Sequence, residues 1–223
     1  MLRVRATLTL VLLDLLTIGV LAFVGVRLVG GARLSLQGPG RMHTLLIVRG
    51  IRMRHVFLAP FVLVVVLTVA GLLIQLPVLS WGWWTAIGGQ GNPVTGTTDQ
   101  TAGTALEWLV PISFLLVLLP AIPVFAETEE RMFRLGAETW SPAKRVGKAV
   151  QFGLMHAVIG IPIGVALALS IGGGYFMWCY LRCFKATGRP RESMMESTRA
   201  HVAYNLEIVI VLLVALVILA LGG

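Results

Sequence analysis

The stretch that decides the fold is ALEWLVPISFLLVLLPAIPVFAETEERMFR, residues 105–134. Its first part, residues 105–126, is a predominantly apolar run that exceeds the roughly 18 residues that indicate a membrane-spanning helix. The run leads directly into a cluster of carboxylates and guanidinium groups between Glu129 and Arg134. Ionisable groups at membrane depth are costly and are mostly functional. The stretch therefore predicts a membrane helix whose end carries part of a site.

The composition extends this prediction to the whole chain. Of the 223 residues, 57% are hydrophobic and only 13% are charged, which is far more apolar than an ordinary soluble domain. Runs such as FVLVVVL at residues 61–67 do not alternate between apolar and polar residues, as the strands of a membrane β-barrel must. The predicted fold class is therefore all-α, a polytopic helical membrane protein.

Hydropathy predicts six membrane segments. Residues 149–180 are too long for one span, because about 32 helical residues measure about 48 Å against a hydrocarbon core of about 30 Å. We therefore place a break at Gly172-Gly173-Gly174 and expect a short return helix after it. The six segments are residues 6–26, 56–79, 105–126, 149–170, 175–185 and 194–221.

The charge distribution predicts the orientation and the surroundings of the chain. The net charge of +8 comes from arginine and lysine residues in short segments beside the spans, which is the pattern of a cytoplasmic membrane face. We therefore expect a lipid bilayer and no nucleic acid as partner. Residues 1–104 are predicted to hold two N-terminal spans joined by a basic cytoplasmic loop, residues 27–55. Residues 105–223 are predicted to form a catalytic membrane domain.

Three pairs of polar or aromatic residues are each spaced by one helical turn. They are Glu130 with Arg134, Phe152 with His156, and His201 with Asn205. Side chains four residues apart share one face of a helix, so the two members of each pair can act together. Glu129 points about 100° away from Glu130 and stays free of the ion pair. The predicted topology places these groups at a similar depth, as a shared site requires.

The same groups fit peptide hydrolysis without a covalent intermediate. That reaction needs a base to activate water, a group to share the proton, and donors to hold the oxyanion. Glu129 is the predicted base, and His156 would hold the water with it. His201 and Asn205 would donate to the oxyanion, and Phe152 would form the wall of the pocket.

The pair of Glu130 with Arg134 has two predicted roles. It would keep the second carboxylate from competing for the proton. It would also hold a substrate terminus or a polar backbone group.

The three blocks resemble the signatures EExxxR, FxxxH and HxxxN of the CPBP family of intramembrane proteases, which includes the type 2 CAAX prenyl endopeptidases and the Abi proteins. The resemblance covers residues 105–221 and departs from many members at Leu135, where they carry glycine. It implies a glutamate-dependent peptidase without a cofactor. In it, Glu129 and His156 activate water, and His201 and Asn205 form the oxyanion hole. The implied substrate is a membrane-associated peptide or protein, including a lipidated one.

A zinc-dependent version of the same protease is an alternative. Glu129, His156 and His201 are residue types that bind zinc, and they would leave one position for an activated water. The chain has no HExxH pair, and Asn205 is a better hydrogen-bond donor than zinc ligand. These two features favour the glutamate version.

Two alternatives from other classes are a non-catalytic membrane protein and a transporter. In an immunity or scaffold protein, the motif residues would only brace the helices. Intramembrane carboxylates also relay protons in transporters, but the chain has no detectable inverted repeat, which disfavours that class. For the protease, we expect a multi-pass protein of a bacterial or archaeal plasma membrane with its active site towards the cytoplasm.

Overall fold

A computed structural model of the chain describes residues 2–86 and 103–222. Every regular element in these two ranges is helical. The α-helices are α1 (Leu2–Leu36), α2 (Gly38–Arg49), α3 (Met53–Leu73), α4 (Pro77–Ser80), α5 (Trp83–Ala86), α6 (Leu106–Phe133), α7 (Pro142–Met155), α8 (Ile163–Thr187) and α9 (Pro190–Gly222). Two short 3₁₀ helices, Ala137–Thr139 and His156–Ile159, flank α7.

Five helices in the described ranges are long and apolar enough to cross a membrane. They are Ile18–Leu36 within α1, Met53–Leu73, Leu106–Thr139 containing α6, Ile163–Thr187 and Pro190–Leu221. Many of their large apolar side chains face outward, as expected of helices surrounded by lipid rather than water. The all-α fold class is confirmed, and the protein is a multi-pass integral membrane protein.

The predicted break at Gly172-Gly173-Gly174 is wrong. Helix α8 passes through these glycines without interruption, and the predicted return helix, residues 175–185, is its second half. Gly173 serves packing instead, because a Cβ atom there would lie 3.0 Å from the carbonyl oxygen of Ala149 and from the ring of Phe152. Small residues let two membrane helices approach this closely.

The chain breaks twelve residues earlier, between α7 and α8. Gly160 ends the 3₁₀ helix with a φ of 91°, a left-handed conformation that favours glycine. Pro162 then precedes α8, where its fixed φ suits the start of a helix. The predicted span of residues 149–170 is therefore divided between two helices.

The predicted basic loop, residues 27–55, is largely helical. Helix α1 continues to Leu36, α2 follows, and α3 begins at Met53. The last turns of α1 bury Leu28 and Ala32 against Ala121 of α6. This packing explains the extension, because tertiary contacts on one face stabilise a helix more than its local propensity does.

The helix bundle has two ends of different chemistry. At the basic end, the starts of α3 and α9 meet the end of α8, and they present Arg52, Arg182 and Arg191. At the tryptophan end, the Trp83 indole N–H donates to the Val158 carbonyl at 3.0 Å, and the backbone of Trp81 accepts a hydrogen bond from that of Ile163.

Helix α7 runs from the basic end towards the tryptophan end. Near its start, Arg145 Nε donates to the carbonyl oxygen of Ala137 at 2.9 Å. After it, the 3₁₀ helix reaches the tryptophan segment through Val158. Helix α7 has 14 residues and is too short to count among the five long helices. The fourth predicted segment, residues 149–170, thus begins in this short helix, continues through the 3₁₀ turn and ends in α8.

One hydrophobic cluster joins helices from both halves of the chain. Ala59 and Leu63 of α3 pack with Phe133 of α6, Phe152 of α7 and Phe176 of α8. These contacts place α3 beside the motif-bearing helices at the centre of the bundle.

The close approach of α7 and α8 predicts a stability effect at Gly153. Its Cβ would overlap the Ala166 carbonyl oxygen and the Ser170 hydroxyl, and would lie 2.7 Å from the Ser170 nitrogen. We expect Gly153→Ala to destabilise the detergent-solubilised protein by about 1–3 kcal/mol through overpacking, measured by thermal unfolding.

The matched control is Gly147→Ala on the same helix, since a Cβ there meets nothing within 4 Å. It should be neutral or stabilising, because alanine favours a helix by up to about 1 kcal/mol over glycine. Equal unfolding temperatures for the two variants would show that α7 and α8 are not packed as described.

Candidate functional site

The centre of the site is a buried ion pair on α6. The side chains of Glu130 and Arg134 are both 0% exposed, and Arg134 Nη1 lies 3.0 Å from Glu130 Oε1. Arg134 Nη2 also donates to the carbonyl oxygen of Gly173 on α8 at 3.2 Å. The predicted pairing one turn apart is confirmed. Its arginine holds the Gly173 carbonyl of the protein itself, and the role in holding a substrate terminus stays a prediction.

Glu130 also holds two groups of α9. The Nδ1 atom of His201 lies 2.9 Å from Glu130 Oε1, and the hydroxyl of Ser197 lies against Oε2. The same hydroxyl is 2.9 Å from the carbonyl oxygen of Phe176 on α8, and its single hydrogen serves one of these two acceptors at a time. Through these contacts, the carboxylate connects α6 to α9 and indirectly to α8.

Aromatic rings surround the guanidinium group of Arg134. Its Cζ atom lies 4.2 Å from the ring centroid of Phe152, 5.4 Å from that of Phe176 and 5.7 Å from that of Phe133. A guanidinium over an aromatic face is attracted by the ring's negative quadrupole, most strongly where water is excluded. Phe152 therefore helps to hold the buried charge, beyond its predicted role as a pocket wall.

Both imidazoles of the motifs border the ring of Phe152. The ring centroid of Phe152 is 5.0 Å from that of His156 and 5.4 Å from that of His201. His201 also stacks on Phe176 at 4.2 Å with an interplanar angle of 20°. Helices α7, α8 and α9 thus bring the two histidines to the same aromatic ring.

Hydrogen bonds determine which ring nitrogen of each histidine carries a proton. His156 Nδ1 lies 2.9 Å from the carbonyl oxygen of Phe152. Because a carbonyl only accepts, Nδ1 donates, and Nε2 of neutral His156 keeps a lone pair. His201 Nδ1 likewise donates to the carboxylate of Glu130. Its Nε2 then points to the remaining carboxylate, since Glu129 Oε2 lies 3.7 Å away.

Glu129 and Glu130 are neighbours in sequence with different surroundings. The Glu129 side chain is 23% exposed, and its Oε2 atom is buried without a hydrogen-bond partner. Glu130 is enclosed by Arg134, His201 and Ser197. One carboxylate is thus enclosed by three partners, and the other keeps an oxygen without a hydrogen-bond partner.

Asn205 lies half-buried on α9, one turn beyond His201. Within the part of the chain that the structure describes, its side chain has no hydrogen-bond partner. The neighbouring Tyr204 is buried, and its hydroxyl also lacks a partner. Both residues therefore carry a polar group without a hydrogen-bond partner about one turn beyond His201 on α9.

Sequence reasoning missed Ser197, Phe176 and Tyr204. A signal for Ser197 exists, because Ser197, His201 and Asn205 recur every four residues and share one face of α9. For Phe176 and Tyr204 the sequence offers only an aromatic residue in an apolar helix. Their contacts arise from helices far apart in the chain.

The structure brings most of the predicted site residues together. Glu129 and Glu130 meet His201, and Arg134 pairs with Glu130. The ring of Phe152 borders Arg134, His156 and His201. Among the described residues, no three His, Cys, Asp or Glu side chains are grouped as a metal-ion site. Two cavities, of about 670 Å³ and about 510 Å³, are lined by other residues.

Comparison of the chain with models of known families, with curated proteins and with solved structures found no match.

The buried ion pair predicts a large stability effect for Glu130→Gln. The substitution leaves the enclosed Arg134 charge without its counter-charge. Removing one partner of a buried pair typically destabilises by about 3–5 kcal/mol. Thermal unfolding of the purified protein in detergent would measure the loss.

Glu127→Gln on the same helix is the matched control, because both partners of Glu127 are exposed, Arg131 by 62% and His43 of α2 by 46%. Such surface pairs contribute about 0–1 kcal/mol. A Glu130→Gln protein as stable as Glu127→Gln would contradict the enclosed pair.

Proposed function

We propose that the protein is an intramembrane endopeptidase of the CPBP type, which hydrolyses a peptide bond in a membrane-associated substrate. The observation that carries the proposal is that Glu129 Oε2 has no hydrogen-bond partner and lies 3.7 Å from His201 Nε2. The other ring nitrogen of His201, Nδ1, donates to Glu130 and so fixes the orientation of the ring. A free carboxylate, an oriented imidazole and a second imidazole nearby are the groups that a water-activating site needs.

In the proposed reaction, Glu129 removes a proton from a water molecule. The water oxygen attacks the carbonyl carbon of the scissile bond and forms a tetrahedral intermediate. The carbon–nitrogen bond then breaks, and Glu129 returns the proton to the leaving nitrogen. His156 Nε2, whose lone pair faces away from the Nδ1 hydrogen bond, would orient the water.

His201 and Asn205 would stabilise the oxyanion of the intermediate. His201 uses Nδ1 for Glu130, so it can donate to an oxyanion only through a proton on Nε2. Both ring nitrogens of His201 would then donate, Nδ1 to Glu130 and Nε2 to the oxyanion. The Asn205 amide, one turn further along α9, would supply a second donor.

The location of the site fits a substrate that comes from the membrane. Glu129, His156 and His201 lie on or directly after helices that pack within the bundle. A peptide would reach them from the lipid or from the membrane surface, and an attached lipid would ease its entry. We place the basic end in the cytoplasm, because arginine-rich ends of membrane helices face that side, and we assign the protein to a bacterial or archaeal plasma membrane.

The proposal predicts that Glu129→Gln abolishes cleavage without destabilising the protein. General-base groups contribute about 10²–10⁴-fold to rate. We expect at least about a 100-fold loss, because glutamine cannot accept the proton. Mass spectrometry of membrane peptides from cells carrying the wild type or the variant would detect the missing products. Thermal unfolding of both purified proteins should differ by no more than about 0.5 kcal/mol.

Glu127→Gln, two residues earlier on the same helix, should yield the wild-type peptides. Identical peptide profiles for the wild type and Glu129→Gln would refute the proposed base.

The zinc-dependent alternative shares Glu129, His156 and His201. For the glutamate mechanism, treatment of active membranes with phenanthroline should leave the cleavage rate unchanged, because no step draws on a metal-bound water. Loss of activity on chelation, with recovery on adding zinc, would instead favour the zinc-dependent protease.

A non-catalytic scaffold is a second candidate, favoured by the burial of Glu130, Arg134 and Ser197 between helices. In a scaffold, Glu129 would also brace α6 against His201 of α9. Glu129→Gln would then lower the unfolding temperature and leave the membrane peptides unchanged. This is the reverse of the outcome expected for the peptidase.

A further inference from the structure

A polar cavity opens at the basic end, and it is lined by other residues than those of the proposed active site. It encloses about 670 Å³ between the start of α3, the end of α8 and the start of α9. None of Glu129, His156 and His201 lines it. Its charged lining residues are Arg52, Arg54, His55, Arg182, Arg191, Glu192, Glu196 and Arg199.

One group of these charges is internally paired. Glu196 is buried and accepts from His55 Nε2 at 2.7 Å, and it also pairs with the guanidinium of Arg54. Arg199 Nη1 lies 4.0 Å from the second oxygen of Glu196. This cluster ties α3 to α9 and forms one wall of the cavity.

The other arginines leave the cavity positively charged. Glu192 pairs at 2.6 Å with Arg189, which does not line the cavity. Within residues 2–86 and 103–222, none of Arg52, Arg182 and Arg191 pairs with a carboxylate. Three exposed guanidinium groups therefore surround one space, and their mutual repulsion would be relieved by a bound anion.

The rim of the cavity is apolar and aromatic. Trp178 of α8 is 46% exposed, and Arg182 Cζ lies 5.2 Å from its ring centroid. Leu58 of α3 lines the cavity, and Phe61, one turn further along α3, is 71% exposed. An anion bound among the arginines would thus have apolar surface beside it.

We propose that this cavity binds a phosphate-bearing anion, and that an anionic phospholipid headgroup is the source that suits it best. Guanidinium groups match phosphate oxygens with paired hydrogen bonds, and basic pockets between membrane helices bind lipid headgroups. The acyl chains would lie along Trp178 and Phe61. The proposal does not depend on the peptidase activity.

Lipid binding to the purified full chain in detergent tests this site. Native mass spectrometry would titrate phosphatidylglycerol against phosphatidylcholine, which carries the same phosphate with a compensating positive charge. We expect the wild type to prefer phosphatidylglycerol. The double variant Arg182→Gln/Arg191→Gln should weaken that binding by about tenfold or more, because it removes the charge-assisted hydrogen bonds of two guanidinium groups to the phosphate.

The charge-matched control is Arg33→Gln/Arg41→Gln, which removes two exposed arginines outside the cavity. It should keep wild-type affinity. Arg52→Gln on α3 provides a second single test and should also weaken binding, so the result does not depend on one variant folding.

Thermal-shift measurements with glycerol 3-phosphate and with inorganic phosphate show whether the bound anion is a lipid headgroup or a soluble phosphate. These compounds could stabilise the wild type but not the double variant while phosphatidylglycerol is not preferred. The cavity would then be a phosphate site whose ligand is a soluble phosphate rather than a lipid. Equal binding of both lipids without a phosphate effect would overturn the proposal. So would equal losses in the double variant and its charge-matched control.

Discussion

A charged pair enclosed among apolar helices is tolerated only if its partners replace the water that it has lost. Glu130 and Arg134 meet this condition with groups from four helices. Arg134 donates to the α8 backbone and lies over the α7 ring of Phe152, and Glu130 accepts from α9. Since each contact requires one relative position of two helices, the pair fixes the register of α6, α7, α8 and α9.

The same pair shapes the candidate site beside it. By accepting a hydrogen bond from Nδ1–H of His201, Glu130 leaves Nε2 as the nitrogen that faces Glu129. Adjacent carboxylates on one helix thus acquire opposite roles, because α6 turns by about 100° between them. A structural ion pair and a candidate catalytic base can therefore occupy a single turn without competing for one proton.

The first half of helix α9 also carries groups with different partners on different faces. Ser197 and His201 face the buried pair, whereas Glu196 and Arg199 face α3 and the basic cavity. Buried Glu196 also has partners from another helix, the Arg54 guanidinium and the His55 imidazole. In both clusters a carboxylate inside the bundle has a guanidinium partner and accepts a hydrogen bond from an imidazole on another helix.

Hydropathy and four-residue spacing were sufficient to determine the all-α membrane class, the pairing of Glu130 with Arg134, and the shared faces of the motif residues. These features depend on contacts within one helix, which the local sequence encodes. Only the tertiary structure decided that α8 runs unbroken through Gly173, that the chain turns at Gly160, and that Glu130 holds His201. Those outcomes depend on what packs against each residue from segments distant in the chain. Whether a glycine breaks a helix or lets another helix pack closely against it depends on which segment lies beside it.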